Sequence, residues 1–192
     1  MSVRQTIPYK SGIFFITFTC AYWLPLFKKL ESYDLIYNWF DVLNTNKHAI
    51  HGYVIMPDHV HAIISFRNTG QRINTIVGNG KRFMAYEFVN RLEFAQEFDL
   101  LHQMNIWVNE TDKDRNKKHE VFEPSFDWKD CSDIHIAEQK LEYIHLNPCN
   151  SEPPMVSNPT DYLHSSANQY LGGSNIVYPV QHIMTMYDFN YE

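Results

Sequence analysis

Hydrophobic and polar positions along this chain switch between two periods, and the switches mark its elements. From Gly12 to Cys20 (GIFFITFTC), Phe14, Ile16 and Phe18 alternate with Phe15, Thr17 and Thr19, which predicts a buried strand. Tyr22 to Phe27 is aromatic and interrupted by Pro25, as expected of a loop that packs. From Ser32 to Thr45 the spacing becomes helical, with Leu35, Ile36, Trp39, Phe40 and Leu43 on one face and Ser32 as the candidate N-cap. His51 to Phe66 (HGYVIMPDHVHAIISF) carries two runs rich in β-branched residues around Pro57-Asp58, which is the signature of a β-hairpin. After a loop at Asn68–Gln71, Ile73 to about Leu92 predicts a second long helix in spite of Gly78 and Gly80. Phe94–Asn109 is ambiguous, with a strand over Met104–Val108 as one reading. Thr111–Glu120 (TDKDRNKKHE) is a charged run of the kind found in solvated loops, and Phe122–Asp130 (FEPSFDWKD) suits a sheet edge or loop. Ser132 or Asp133 then caps a final helix that Pro148 stops.

Strand, helix, hairpin, helix, edge element, helix is an α+β order. A ferredoxin-like antiparallel sheet with helices packed on one face is its simplest solution. The chain of 192 residues suits a single domain over 1–192, with 149–192 an irregular extension rich in Pro, Asn and Ser. Tyr162, Tyr170, Tyr178 and Tyr187 are expected to pack that extension on the domain.

Composition narrows the classes. No apolar run approaches the ~18 residues that span a bilayer, and MSVRQTIPYKSG has no apolar segment of signal-peptide type. Cys20, Cys131 and Cys149 are odd in number and lack CxxC spacing, which points to a reducing cytoplasm rather than to disulfides or a cysteine zinc site. A net charge of −6 argues against a protein that coats nucleic-acid backbones. It leaves room for a local basic groove at Lys81, Arg82, Lys117 and Lys118, or for a metal that offsets phosphate charge.

The candidate chemistry begins at His59-Val60-His61. Residues two apart on a strand share a face, so both imidazoles project together as a metal half-site while Val60 points away. In the last helix Ile134, Ala137, Leu141 and Ile144 form an apolar stripe. Tyr143 lies about 140° and Asn147 about 100° from its centre. The two are i and i+4, within reach of a common point, and His145 falls near the apolar side, where packing is the simpler role.

The HVH segment within YVIMPDHVHAII, together with Tyr143-Ile144-His145-Leu146-Asn147-Pro148, resembles the single-tyrosine HUH transposases, and within them the REP-associated tyrosine transposases. ITFTC, FEPSFDWK and DYLHSSANQY support the resemblance, which runs from about Gly12 to Tyr170. It implies a ferredoxin-like fold, a Mg²⁺ or Mn²⁺ ion held by His59, His61 and Asn147, and Tyr143 as the nucleophile. Tyrosine attack on single-stranded DNA beside a hairpin, a REP-like element, would leave a 5′-phosphotyrosine and a free 3′-OH. The partner would be single-stranded or hairpin DNA with no membrane. The protein would act as a monomer, with a dimer as the alternative because related enzymes exchange this helix between subunits. Two other classes accommodate the same residues: a catalytically inactive single-stranded-DNA-binding relative, and a metal-dependent hydrolase that uses the histidines without a covalent tyrosine.

Overall fold

The computed structural model describes residues 6–191, so part of the N-terminal stretch MSVRQTIPYKSG lies outside the described residues. The elements run β1 (Gly12–Thr19), α1 (Leu26–Lys29), α2 (Asp34–Thr45), β2 (Ala49–Ile55), β3 (His59–Phe66), α3 (Ile73–Phe94), α4 (Phe98–Ile106), α5 (Glu110–Lys113), β4 (Asp127–Asp130), α6 (Ile134–Leu146) and α7 (Ala167–Tyr170). The four strands form one antiparallel sheet in the order β2-β3-β1-β4. This is the α+β architecture with an antiparallel sheet expected from the sequence.

The sheet buries both faces. Phe14, Ile16 and Phe18 of β1, with Val60, Ala62, Ile64 and Phe66 of β3, join a core that includes Ile36, Trp39 and Phe40 of α2 and Val77, Met84 and Phe88 of α3. The alternate residues Ile13, Phe15, Val54 and Ile63 meet Ala137, Leu141 and Ile144 of α6 on the opposite face. The two long helices therefore share one face and the last helix covers the other. Helices thus lie on both faces of the sheet and not on one face as expected, because both sets of alternating strand residues are apolar and need cover. Two glycines permit this closeness. A Cβ on Gly52 of β2 would stand 2.4 Å from Leu141 Cδ1, and a Cβ on Gly80 of α3 would stand 2.4–2.8 Å from three ring atoms of Trp39. The glycines that weaken the helical pattern of α3 thus include one that lets α2 pack against it.

Several local expectations change. Residues 98–106 are helical, not a strand at Met104–Val108, because Leu101 and Met104, three apart, turn one face to the core. Ser32 is not a cap: its hydroxyl is buried and donates to the Leu26 carbonyl at 3.2 Å, while Tyr33 occupies the N-cap without a side-chain bond. Tyr22–Phe27 is not only a packed loop, since a 3-10 turn at Ala21–Trp23 leads into α1. Asp133 caps α6, accepting from the amides of His135 (2.8 Å) and Ile136 (3.4 Å). Asn147 keeps helical angles (φ −53, ψ −46) although Pro148 follows. The pre-proline preference is offset by the continuing turn, in which the Cys149 and Asn150 amides both reach the Leu146 carbonyl.

The segment after Pro148 is short turns and helices, and it has a structural task. The Ser166 amide bonds to the Tyr53 carbonyl and the Ile55 amide to the His164 carbonyl, both at 2.9 Å, so this segment lies along the free edge of β2. It closes a strand that would otherwise present open amides. Tyr162 and Tyr170 anchor it through hydroxyls that donate to the Ile55 and His51 carbonyls, whereas Tyr187 is exposed rather than packed. Among the described residues no helix is long and apolar enough to cross a membrane, and all three cysteines are free thiols.

Candidate active site

The β2–β3 hairpin carries His59 and His61 to one face, their rings 4.7 Å apart between centroids. That face is the one α6 covers. Tyr143 comes off α6 with its ring 5.2 Å from that of His61, edge to face, and stays half exposed. Asn147, one turn further, places its carboxamide Nδ2 3.5 Å from His61 Nε2. The oxygen and nitrogen of a carboxamide exchange places on a flip of the group, so the same rotamer offers an oxygen at that point. Two ligands of one ion at bond lengths of ~2.1 Å stand roughly 3.0–3.5 Å apart, so the spacing suits a shared cation.

The outer nitrogens of both rings are already engaged. His59 Nδ1 is 2.6 Å from Asp58 Oδ1, and His61 Nδ1 is 2.6 Å from Thr17 Oγ1, its partner across β1 and β3. Bonds of this kind fix the tautomer and aim the remaining nitrogen at a metal. Burial, with His59 and Lys140 nearby, pushes the His61 imidazole down to about 3, so the ring is neutral and its lone pair available. Phe15 stacks on His61, with centroids 5.3 Å apart, and closes the apolar side. Among the described residues no three His, Cys, Asp or Glu side chains cluster as a metal site, and the Asn147 amide is the carboxamide placed against His61. Two imidazoles and a carboxamide fit a hard-to-borderline divalent ion that keeps positions for other ligands.

Three contributors were not picked out in the sequence. Lys140 Nζ lies 4.9 Å from the Phe15 ring centre and 5.5 Å from that of Tyr143, bringing a positive charge to the site. Its position at i−3 from Tyr143 was readable; its role was not. Thr17 has no local signal, since it lies 44 positions from His61. Trp23 sets its ring edge-on to His59 at 5.9 Å.

The four basic residues do meet. Lys81, Arg82, Lys117 and Lys118 line one cleft of about 1200 Å³ between α3 and residues 112–126. They are not equivalent. Lys81 is buried, with its ammonium donating to the Glu123 (2.7 Å) and Ser125 (2.9 Å) carbonyls, and desolvation lowers it to about 8. It holds the chain before β4 in place and is not an exposed phosphate ligand. Lys117 is paired with Glu120 and Asp112. Arg82, over the Phe83 ring, and Lys118 are exposed and form no ion pair among the described residues.

No family model matches this chain, and no curated protein matches its sequence. A candidate transposase from Deinococcus radiodurans R1 overlays with a TM-score of 0.34 at 16% identity, over 75% of this chain and 95% of its own. The stronger likeness is to a REP-associated tyrosine transposase bound to a REP hairpin, at 16% identity and a TM-score of 0.58, covering 93% of this chain and 89% of that one; the two share a fold.

Proposed function

We propose that this chain is a DNA transposase of the single-tyrosine HUH type that cleaves and rejoins single-stranded DNA beside a hairpin. One observation carries the reading. A tyrosine and a carboxamide on α6 reach the same histidine, His61, at 5.2 Å between ring centres and at 3.5 Å, although 82 and 86 positions of sequence separate them. The shared fold with a hairpin-bound tyrosine transposase supports it.

His59, His61 and Asn147 would hold Mg²⁺ or Mn²⁺, which when bound withdraws charge from a phosphodiester and orients it. Tyr143 supplies the nucleophile. Its oxygen forms the bond to phosphorus as the bond to the 3′-oxygen breaks. The phenolic proton is given up to solvent and the 3′-oxygen takes one back, leaving a 5′-phosphotyrosine and a free 3′-OH. The 3′-OH of a second strand reverses the step and restores Tyr143, so strands are exchanged without an external energy source. The Lys140 ammonium beside the Tyr143 ring favours the negative charge gathered there. Arg82 and Lys118, at the cleft, are the basic residues free to meet phosphate. Both halves of the site come from one chain, so a monomer suffices.

Labelled single-stranded DNA from the gene's own flanks, incubated with Mg²⁺ or Mn²⁺ and run on a denaturing gel, tests this. A covalent adduct and a free 3′-OH are expected, and Tyr143→Phe is expected to lose both by orders of magnitude while hairpin affinity stays within a few fold. An adduct that survives Tyr143→Phe would move the nucleophile elsewhere. Metal-dependent hydrolysis without an adduct would favour the hydrolase class. Binding without cleavage would favour an inactive relative.

A further inference from the structure

Beside the histidine pair, the chain displays an aromatic ring that the packing does not require. Trp23 is 64% exposed, although indole is among the costliest side chains to leave in water. Its backbone and that of Tyr22 are both left-handed, with φ of 57° and 54°. Residues other than glycine and asparagine seldom adopt that region, and two in succession are rarer still. The conformation is imposed from outside. The Cys20 amide donates to the Asp58 carbonyl (2.7 Å), that of Ala21 to the Val121 carbonyl (2.9 Å), that of Tyr22 to Glu123 Oε1 (3.2 Å) and that of Trp23 to the Cys20 carbonyl (3.1 Å). Tyr22 is braced further against Trp107, with centroids 4.1 Å apart. Asp58 is also the residue that orients His59. The same turn therefore fixes the imidazole and the indole relative to each other, 5.9 Å apart. Strain maintained by its surroundings and spent on exposing a ring is a mark of function rather than of folding.

We propose that Trp23 is a stacking platform for an unpaired nucleobase of the strand whose phosphate sits at His59 and His61. This rests on the single-stranded-DNA reading above and adds the residue that places the substrate. An exposed indole offers a flat face to any base, and stacking needs the base to be unpaired. The platform would thus select single strands over duplex without demanding a sequence. Its indole N–H is a hydrogen-bond donor only, with no group that accepts a proton or attacks phosphorus, so Trp23 positions the substrate and takes no part in the bond changes.

The test uses full-length protein carrying Tyr143→Phe, so that DNA is bound but not consumed. Hairpin DNA with a single-stranded flank is titrated while indole emission is followed. Trp23→Ala is expected to weaken binding about ten- to a hundredfold, Trp23→Phe by less than about fivefold, and blunt duplex binding is expected to stay unchanged. Removing one base at a time from the flank should reveal one position whose loss costs the parent protein as much as Trp23→Ala does, and costs the Trp23→Ala protein nothing further. Trp23→Gly should keep or raise the unfolding midpoint, since glycine relieves the left-handed backbone, while binding falls as for alanine. Affinity within twofold for Trp23→Ala, abasic effects that add to it at every position, or a lowered midpoint for Trp23→Gly with intact binding would each overturn the proposal. Failure of the cleavage reading shows separately, as wild-type protein that forms no adduct while the base–Trp23 coupling persists.

Discussion

Thr17 and His61 face each other across β1 and β3, and the threonine hydroxyl lies 2.6 Å from the imidazole Nδ1. The pair sets which nitrogen of His61 is turned toward Asn147. Thr17→Val keeps the shape and removes the bond, leaving a buried ring nitrogen without its partner. Divalent-ion affinity is expected to fall roughly ten- to a hundredfold, with a stability loss of about 1–3 kcal/mol. Mn²⁺ titration followed by spin resonance, alongside urea unfolding, measures both. Unchanged Mn²⁺ affinity would remove Thr17 from the site.

Since Tyr143 stands beside His61 of its own chain, mixing should not rescue. A His59→Ala protein combined with a Tyr143→Phe protein is expected to give no more adduct than either alone. Recovery of activity would show that α6 is exchanged between subunits and that the working unit is a dimer.

Two glycines two residues apart in α3 should respond in opposite senses. Nothing lies within 4 Å of a Cβ on Gly78, so Gly78→Ala gains helix propensity, up to about 1 kcal/mol. Gly80→Ala gains the same propensity, but its methyl collides with the buried Trp39 indole, and overpacking of that kind costs about 1–3 kcal/mol. Urea midpoints should therefore rise for the first and fall for the second. A stabilised Gly80→Ala protein would mean that α2 and α3 can separate at little cost.

Stability should fall in mild acid. Burial pushes His145 and His164 from the ordinary 6.5 down to about 4, and lowers His48 and His51 as well. The unfolded chain then binds protons below pH 6.5 that the folded chain refuses until about pH 4. Stability is complete above 6.5 and is lost progressively between those values. The urea midpoint at pH 5 is expected to lie below that at pH 7.5. A midpoint that held or rose on acidification would contradict these environments.

The residues that define the candidate site were legible because their periods are local. A strand turns alternate side chains the same way whatever surrounds it, so His59 and His61 had to share a face. A helix returns every fourth residue, so Tyr143 and Asn147 had to share one too. Backbone geometry alone dictates such pairings. The same local logic failed at Met104–Val108, where a short apolar run fits either period and packing against the core made the choice.

What only the tertiary structure decided is how those two faces meet. That α6 covers the sheet face opposite α2 and α3 depends on Leu141 fitting over Gly52, 89 positions earlier, and nothing in either segment alone specifies that contact. The same is true of Thr17 behind His61, of Lys81 spent on the Glu123 and Ser125 carbonyls, and of Trp23 held against His59 by a turn bonded to Asp58 and Val121. Periodicity sets the direction of a side chain relative to its own backbone. Which neighbour it meets is settled by burying both faces of the sheet at once while pairing the polar groups that burial encloses, and that requirement exists only when the whole chain is folded.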